Sequence, residues 1–307
     1  MRVLIFGATG FIGQELTNKL IGNHNITAVS RSLPKINRIF GDNVNKKEVD
    51  YKNTEQISQI ISQNDIVVNL AGESIASNVW TKKQKQKMLR SRIRVGNLIT
   101  KSIEEATNKP TLLIQSSAIG YYGYHTQKNT TEESPKGEGF LAELTKQWEN
   151  STKNIELYGV RRAIVRTGIV LGLYGGMLPK LMLPIKYFFG NQLGNGRNYI
   201  SWIHVTDQIR AIEHIINNNQ SKGIYNLTST EPVQSRELNK IIGKILNRPV
   251  WLRAPKYILT LFLGDMAKEL LLSDQKVYPD KLLNEGFQFK YENVSDALSS
   301  ILKQKAT

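Results

Sequence analysis

The sequence predicts an α/β protein: a doubly wound parallel sheet with a smaller, mostly helical C-terminal substrate lobe. Three observations carry that expectation. Short apolar runs alternate with helix-period segments through residue 172. The first run, residues 3–6, ends in glycines at 7, 10 and 13, followed by Leu16, Leu20 and Ile21 at helical spacing. Beyond residue 172 the texture changes, with Gly175, Gly176, Pro179, Pro184, Gly190, Gly194 and Gly196 interrupting apolar stretches.

Strand, glycine turn and helix in that order form a dinucleotide-binding pattern of the Rossmann type. Gly7 permits a tight turn, Gly10 lets a pyrophosphate approach the backbone, and Gly13 lets the helix pack closely on the sheet. A second strand is expected over 25–30. Its end reads Ser30-Arg31-Ser32, with Lys35 and Arg38 behind and no acid before Asp42. An Asp or Glu there would accept from the ribose 2′-hydroxyl of NAD, whereas Arg31 suits the 2′-phosphate of NADP(H). A short strand over 47–51 puts Asp50 where it can accept from the adenine amino group. A helix over 56–63 and a strand from Asp65 into the turn at Gly72 follow.

A long basic helix is expected over about 81–106, with Leu89, Ile93, Ile99 and Ile103 as its buried stripe. The fifth strand, 111–116, runs into Ser116-Ser117-Ala118-Ile119-Gly120-Tyr121-Tyr122-Gly123, which brings hydroxyls to the strand end where a nicotinamide would lie. A helix over 139–153 and a sixth strand over 161–172 complete the alternation. Residues 201–207 read as a strand with Asp207 capping the next helix, 222–228 as another strand, and 235–302 as mostly helical. The expected division is 1–172 plus about 201–230 for the dinucleotide domain, and about 173–200 with 231–307 for the lobe.

Composition narrows the function. The chain has no cysteine, which excludes disulfides, thiolate metal sites and cysteine nucleophiles; no metal site is expected. No apolar run reaches the length of a membrane span, and the N-terminus enters the first strand directly, so a cytoplasmic protein without membrane contact is expected. The net charge of +15 raises a nucleic-acid reading. The one dense run, 82–87, lacks the interleaved aromatics of an RNA-binding strand, so no specific nucleic-acid partner is expected. An anionic small molecule accounts for the charge as well. Oligomeric state is not legible.

Several motifs together resemble the extended short-chain dehydrogenase/reductase superfamily: the glycine turn, Asn69-Leu70-Ala71-Gly72, Ser116-Ser117 with Tyr122-Gly123, and Trp202 with His204 and Asp207. Ser91-Arg92, Trp148-Glu149, Arg248-Pro249 and the stretch from Gly286 to Phe289 narrow the resemblance to its atypical "epimerase family protein" branch, across nearly the whole chain. The resemblance implies an NADP(H) site. Thr9, Gly10, Phe11 and Ile12 would lie at the phosphates, Arg31 and Ser32 at the 2′-phosphate, Asp50 and Tyr51 at the adenine, and Leu70, Ala71, Gly72 and Glu73 by the nicotinamide ribose.

In the corresponding helix, 140–149, the superfamily's catalytic Tyr with a Lys four residues on has no counterpart. With Glu149 in register, Leu141 and Thr145 hold those positions. Ser117 is a candidate hydroxyl donor, although counting back from Tyr122-Gly123 puts Ala118 there. Ile169 is nearest to the Asn that nucleotide-sugar epimerases carry in the sixth-strand motif. Ser117, Tyr121 and Tyr122 are therefore the candidate catalytic residues of an epimerase-like oxidoreductase acting on a small, anionic substrate. The alternative is an NADP(H)-binding regulatory or scaffold protein. His204 is expected to be a buried, satisfied histidine. Arg166 and Arg197 could clamp an anion, with anchoring of the domain interface an equal reading of Arg166, while Glu132 and Glu133 read as loop carboxylates without a pairing signal.

Overall fold

The structure is a computed structural model describing residues 1–126, 129–188 and 191–303; Gly190 lies outside the described residues. In chain order its elements are β1 (Arg2–Phe6), α1 (Phe11–Leu20), β2 (Asn25–Ser30), α2 (Leu33–Phe40), β3 (Asn45–Glu48), α3 (Thr54–Ile61), β4 (Ile66–Asn69), α4 (Lys82–Glu105), β5 (Leu112–Ala118) and α5 (Phe140–Asn150). Then come β6 (Arg161–Thr167), β7 (Ile169–Leu171), α6 (Leu178–Lys186), β8 (Asn191–Leu193), β9 (Tyr199–Ile200), β10 (Trp202–His204), α7 (Val205–Asn217) and β11 (Gly223–Leu227). The chain closes with β12 (Val233–Gln234), α8 (Ser235–Leu246), β13 (Leu252–Ala254), α9 (Lys256–Leu263), α10 (Asp280–Asn284) and α11 (Val294–Lys303).

Seven strands form one sheet in the order β11-β6-β5-β4-β1-β2-β3. Its β3-β2-β1-β4-β5 ladders are all parallel, so the order reverses between β1 and β4 as in a doubly wound fold. Among the described residues, no helix is long and apolar enough to cross a membrane.

The chain gathers into two compact units, each assembled from three stretches. The first comprises 1–117, 144–165 and 212–224. Its core packs Leu4, Phe6, Val67 and Leu113 of the strands against Ile57 and Ile61 of α3 and Ile99 of α4. Each such side chain, taken out of water, contributes roughly 1.5–3 kcal/mol. The buried stripe of α4 differs from expectation in its first half: Met88, Arg92 and Val95 are buried, while Leu89 and Ile93 are half-buried. Helix α2 was not among the expected elements, and β3 ends at Glu48, so Asp50 and Tyr51 lie past the strand.

The second unit comprises 118–143, 166–211 and 225–307. Its core unites Leu171, Leu178 and Trp202 with Leu238 and Ile242 of α8 and Leu298 of α11. The expected single strand over 161–172 is broken at Gly168, where a Cβ would sit 2.7 Å from the Ser201 carbonyl oxygen. Helix α7 begins at Val205, so Asp207 lies in its first turn rather than capping it. The Asp207 carboxylate accepts from the backbone N–H groups of Lys290 (2.9 Å) and Tyr291 (2.8 Å) and from Arg210 (2.7 Å). The first turn of α5 is closed from far along the chain: the Glu269 carboxylate accepts from Phe140 N (2.9 Å) and Leu141 N (2.8 Å).

Candidate functional site

A groove of about 1070 Å³ opens in the first unit. Gly7, Thr9, Gly10, Arg31, Asp50, Tyr51, Leu70, Ala71, Gly72 and Glu73 all line it. Phe11, Ile12 and Gly13 form the first turn of α1, and Ser32 is the N-cap of α2; these four are not among its lining residues.

The glycine turn follows from its sterics. Gly7 has φ +80°, and a Cβ there would lie 2.8 Å from the Leu70 carbonyl. At Gly13 a Cβ would come within 2.7 Å of Ala8 Cα. Both positions are closed by the protein's own backbone. Gly10 differs: within 4 Å its Cβ would meet Gly7 O alone, at 3.2 Å. A turn crowded on the inside and open at Gly10 is the shape a pyrophosphate requires. Gly10 caps α1 without a side-chain hydrogen bond, and the first turn of that helix carries no acid. The helix N-terminus is therefore electropositive toward the groove.

Arg31 is exposed on the wall after β2, with Lys35 beside it on α2. Burial raises the Tyr51 phenol above its ordinary value, and the nearby Arg31 charge pulls against that rise. Asp50 accepts from Lys52 N at 2.9 Å.

At the β4 end, Asn69 is fully buried. It donates through Nδ2 to Gln115 Oε1 at 2.9 Å and accepts from Ala71 N at 3.2 Å, which fixes the turn. Glu73 pairs with Lys87 at 2.7 Å, and its N–H donates to Ser91 Oγ at 3.0 Å. The Arg92 guanidinium fills the space a Cβ at Gly72 would need, 3.0 Å away, and stacks on Trp148 at 4.8 Å. Burial lowers the Arg92 guanidinium to about 10, opposed by Glu73. None of these partnerships of Asn69, Glu73 or Arg92 was legible from the sequence.

The candidate catalytic residues fall on different units. Ser117 belongs to the first, where it is buried and donates to Glu149 Oε1 at 2.7 Å. Tyr121 and Tyr122 belong to the second, with rings edge-to-face at 5.5 Å. The buried Tyr122 hydroxyl donates to Asn226 Oδ1 (2.8 Å) and accepts from Arg166 Nη1 (2.9 Å). Burial pushes its phenol up to about 12, against the pull of Arg166. It therefore stays protonated at neutral pH. The Arg166 guanidinium lies 3.4 Å over the Tyr121 ring.

Glu132 is not the unpaired loop carboxylate expected. It is buried and accepts from Asn226 N (2.9 Å) and Lys281 N (3.4 Å), and burial raises it above the ordinary carboxylate range. His204 is also buried: Nδ1 accepts from Thr206 N at 3.0 Å, Nε2 lies 3.2 Å from Ser300 Oγ, and the ring stacks on Tyr291 at 4.0 Å. Burial lowers it to about 4.

Comparison with known proteins adds the following. The family model of the NAD dependent epimerase/dehydratase family matches residues 3–228, and that of a domain of unknown function, DUF1731, matches 254–301. The chain is 34% identical to the Bacillus subtilis epimerase family protein YfhF over 318 residues, covering 100% of both chains. It is 37% identical to the chloroplastic SDR39U1 homolog of Arabidopsis thaliana, over 99% of this chain and 87% of that one. The crystal structure of the human epimerase family protein SDR39U1 with NADPH superposes with a TM-score of 0.86 at 28% identity, over 99% of each chain.

Proposed function

The chain belongs to the NAD dependent epimerase/dehydratase family, and we propose that its groove binds NADP(H) in preference to NAD(H), in the service of a reaction on a small, anionic substrate. The observation that carries the reading is a glycine turn open at Gly10 in one groove with Arg31 and Lys35. The NADPH bound to the human relative supports the same preference.

In this reading Thr9 and Gly10 face the pyrophosphate, with Phe11, Ile12 and Gly13 presenting the helix N-terminus behind them. Arg31 and Ser32 take the 2′-phosphate, Asp50 and Tyr51 flank the adenine, and the Leu70–Glu73 turn borders the nicotinamide ribose. When bound, the cofactor supplies or accepts hydride. Ser117, in the first unit, is the group we assign to hydroxyl chemistry on the substrate. Tyr122, protonated and shared between Asn226 and Arg166, positions the guanidinium over Tyr121.

The test is calorimetric titration of NADPH and NADH. Arg31→Ala should weaken NADPH binding by roughly tenfold or more and leave NADH unchanged, since a charge-assisted pair contributes about 1.5–3 kcal/mol. Equal wild-type affinities for the two cofactors would sink the preference.

A further inference from the structure

The groove carries two banks of cations. Arg31, Lys35 and Lys52 follow β2 and β3. Lys83, Lys87, Arg90 and Arg94 belong to α4, at intervals of four, three and four residues, which stacks them along one face of the helix. Facing these seven cations are three lining carboxylates, Glu48, Asp50 and Glu73. Lys87 is engaged by Glu73 at 2.7 Å. Lys83, Arg90 and Arg94 have no salt-bridge partner among the described residues.

Like charges at such spacings on a helix repel, so the row costs stability until an anion enters. The row is also held in place. The Glu73–Lys87 pair, the Glu73 N–H to Ser91 Oγ bond and the Arg92 guanidinium against Gly72 fasten α4 to the turn after β4.

We propose that this face of α4 is the second jaw of a phosphate clamp. Arg90, flanked by Lys83 and Arg94, takes the outward oxygens of the dinucleotide pyrophosphate, while the inward oxygens face the glycine turn. The proposal rests on the cofactor reading above. It assigns the two banks different work. The pyrophosphate is common to NAD(H) and NADP(H), so the α4 jaw adds affinity without choosing between them, whereas Arg31 chooses between them.

The experiment titrates NADPH, NADH and ADP-ribose by calorimetry at low and moderate salt. The proteins are the wild type, Arg90→Gln and the double variant Lys83→Gln/Arg94→Gln. All three positions are exposed, and thermal melts check that the variants fold. Arg90→Gln should weaken all three ligands by the same factor, roughly fivefold, and each variant should flatten the salt dependence of binding. Unchanged affinities in both variants overturn the jaw and leave the cofactor reading standing. A loss confined to NADPH also overturns it, because the row would then serve the 2′-phosphate. A wild-type protein that binds none of the three ligands overturns the cofactor reading and the jaw together.

Discussion

Two turns leave the carboxyl edge of the sheet, one after β1 and one after β5, and they are built by opposite means. The first, residues 7–13, is shaped by backbone. Gly10 N donates to Gly7 O at 2.9 Å, and the glycines are set by what a Cβ would strike. The second, residues 118–123, is held by side chains from far along the chain. Arg166 and Asn226 share the Tyr122 hydroxyl, and Gln275 Nε2 donates to the Ile119 (3.1 Å) and Gly123 carbonyls. A backbone-built turn can be broken at one residue and read from a few. A side-chain-built turn distributes its stability over partners that adjust individually.

The largest expected effect tests whether the three glycines of the first turn have separate roles. Gly13→Val overlaps Ala8 and should cost several kcal/mol of folding stability, in the range of severe backbone clashes. Gly10→Val should leave the melting temperature nearly unchanged and abolish cofactor binding. Equal melting temperatures for the two variants would show that the interior and the open side of the turn are not distinct.

The second unit should respond to pH where the glycine turn does not. The depressed value of about 4 for His204 means that its neutral form is favoured by folding. Its contribution is fully present above the unfolded value near 6.5 and is lost as pH falls from there toward 4, by up to about 3 kcal/mol. Urea unfolding at pH 7 and pH 4.5, for wild type and His204→Gln, measures it. A pH response that is the same in both proteins would place the sensitivity elsewhere. Tyr122→Phe removes the donor to Asn226 and the acceptor for Arg166, and should cost about 1–3 kcal/mol while leaving NADPH affinity intact. The smallest effect probes chemistry rather than folding. Ser117→Ala should leave cofactor affinity unchanged and lower turnover on an identified substrate by about tenfold.

The same contrast explains what the sequence disclosed. The parallel sheet, the glycine turn and the Arg31 position rest on residues within a turn of one another, and local spacing reveals them. The helix α6 was hidden because Pro179 and Pro184 read as breakers, although Pro179 lies in its first turn, where the missing N–H is harmless. Ser117 with Glu149, Arg92 with Trp148, and Glu132 with Asn226 join residues tens of positions apart, and no periodicity marks them. Only Lys83 and Lys87 of the α4 row fall in the basic run over 82–87, and the row's membership of the groove depends on how α4 lies against the turn after β4.

Glu269 holding the first turn of α5 has a consequence for how such genes can change. Residues 254–301 correspond to a separate family model, as though they were an appended module. Yet Glu269 serves backbone donors at Phe140 and Leu141, and residues 274–278 bond to Tyr124, Thr126 and Thr130, with Tyr278 N donating to Thr130 O at 2.8 Å. A gene shortened before residue 254 would leave the first turn of α5 without the Glu269 carboxylate, and Tyr124, Thr126 and Thr130 without their backbone partners in 274–278. The tail is thus not a removable cassette: recombination should exchange the two segments together or not at all.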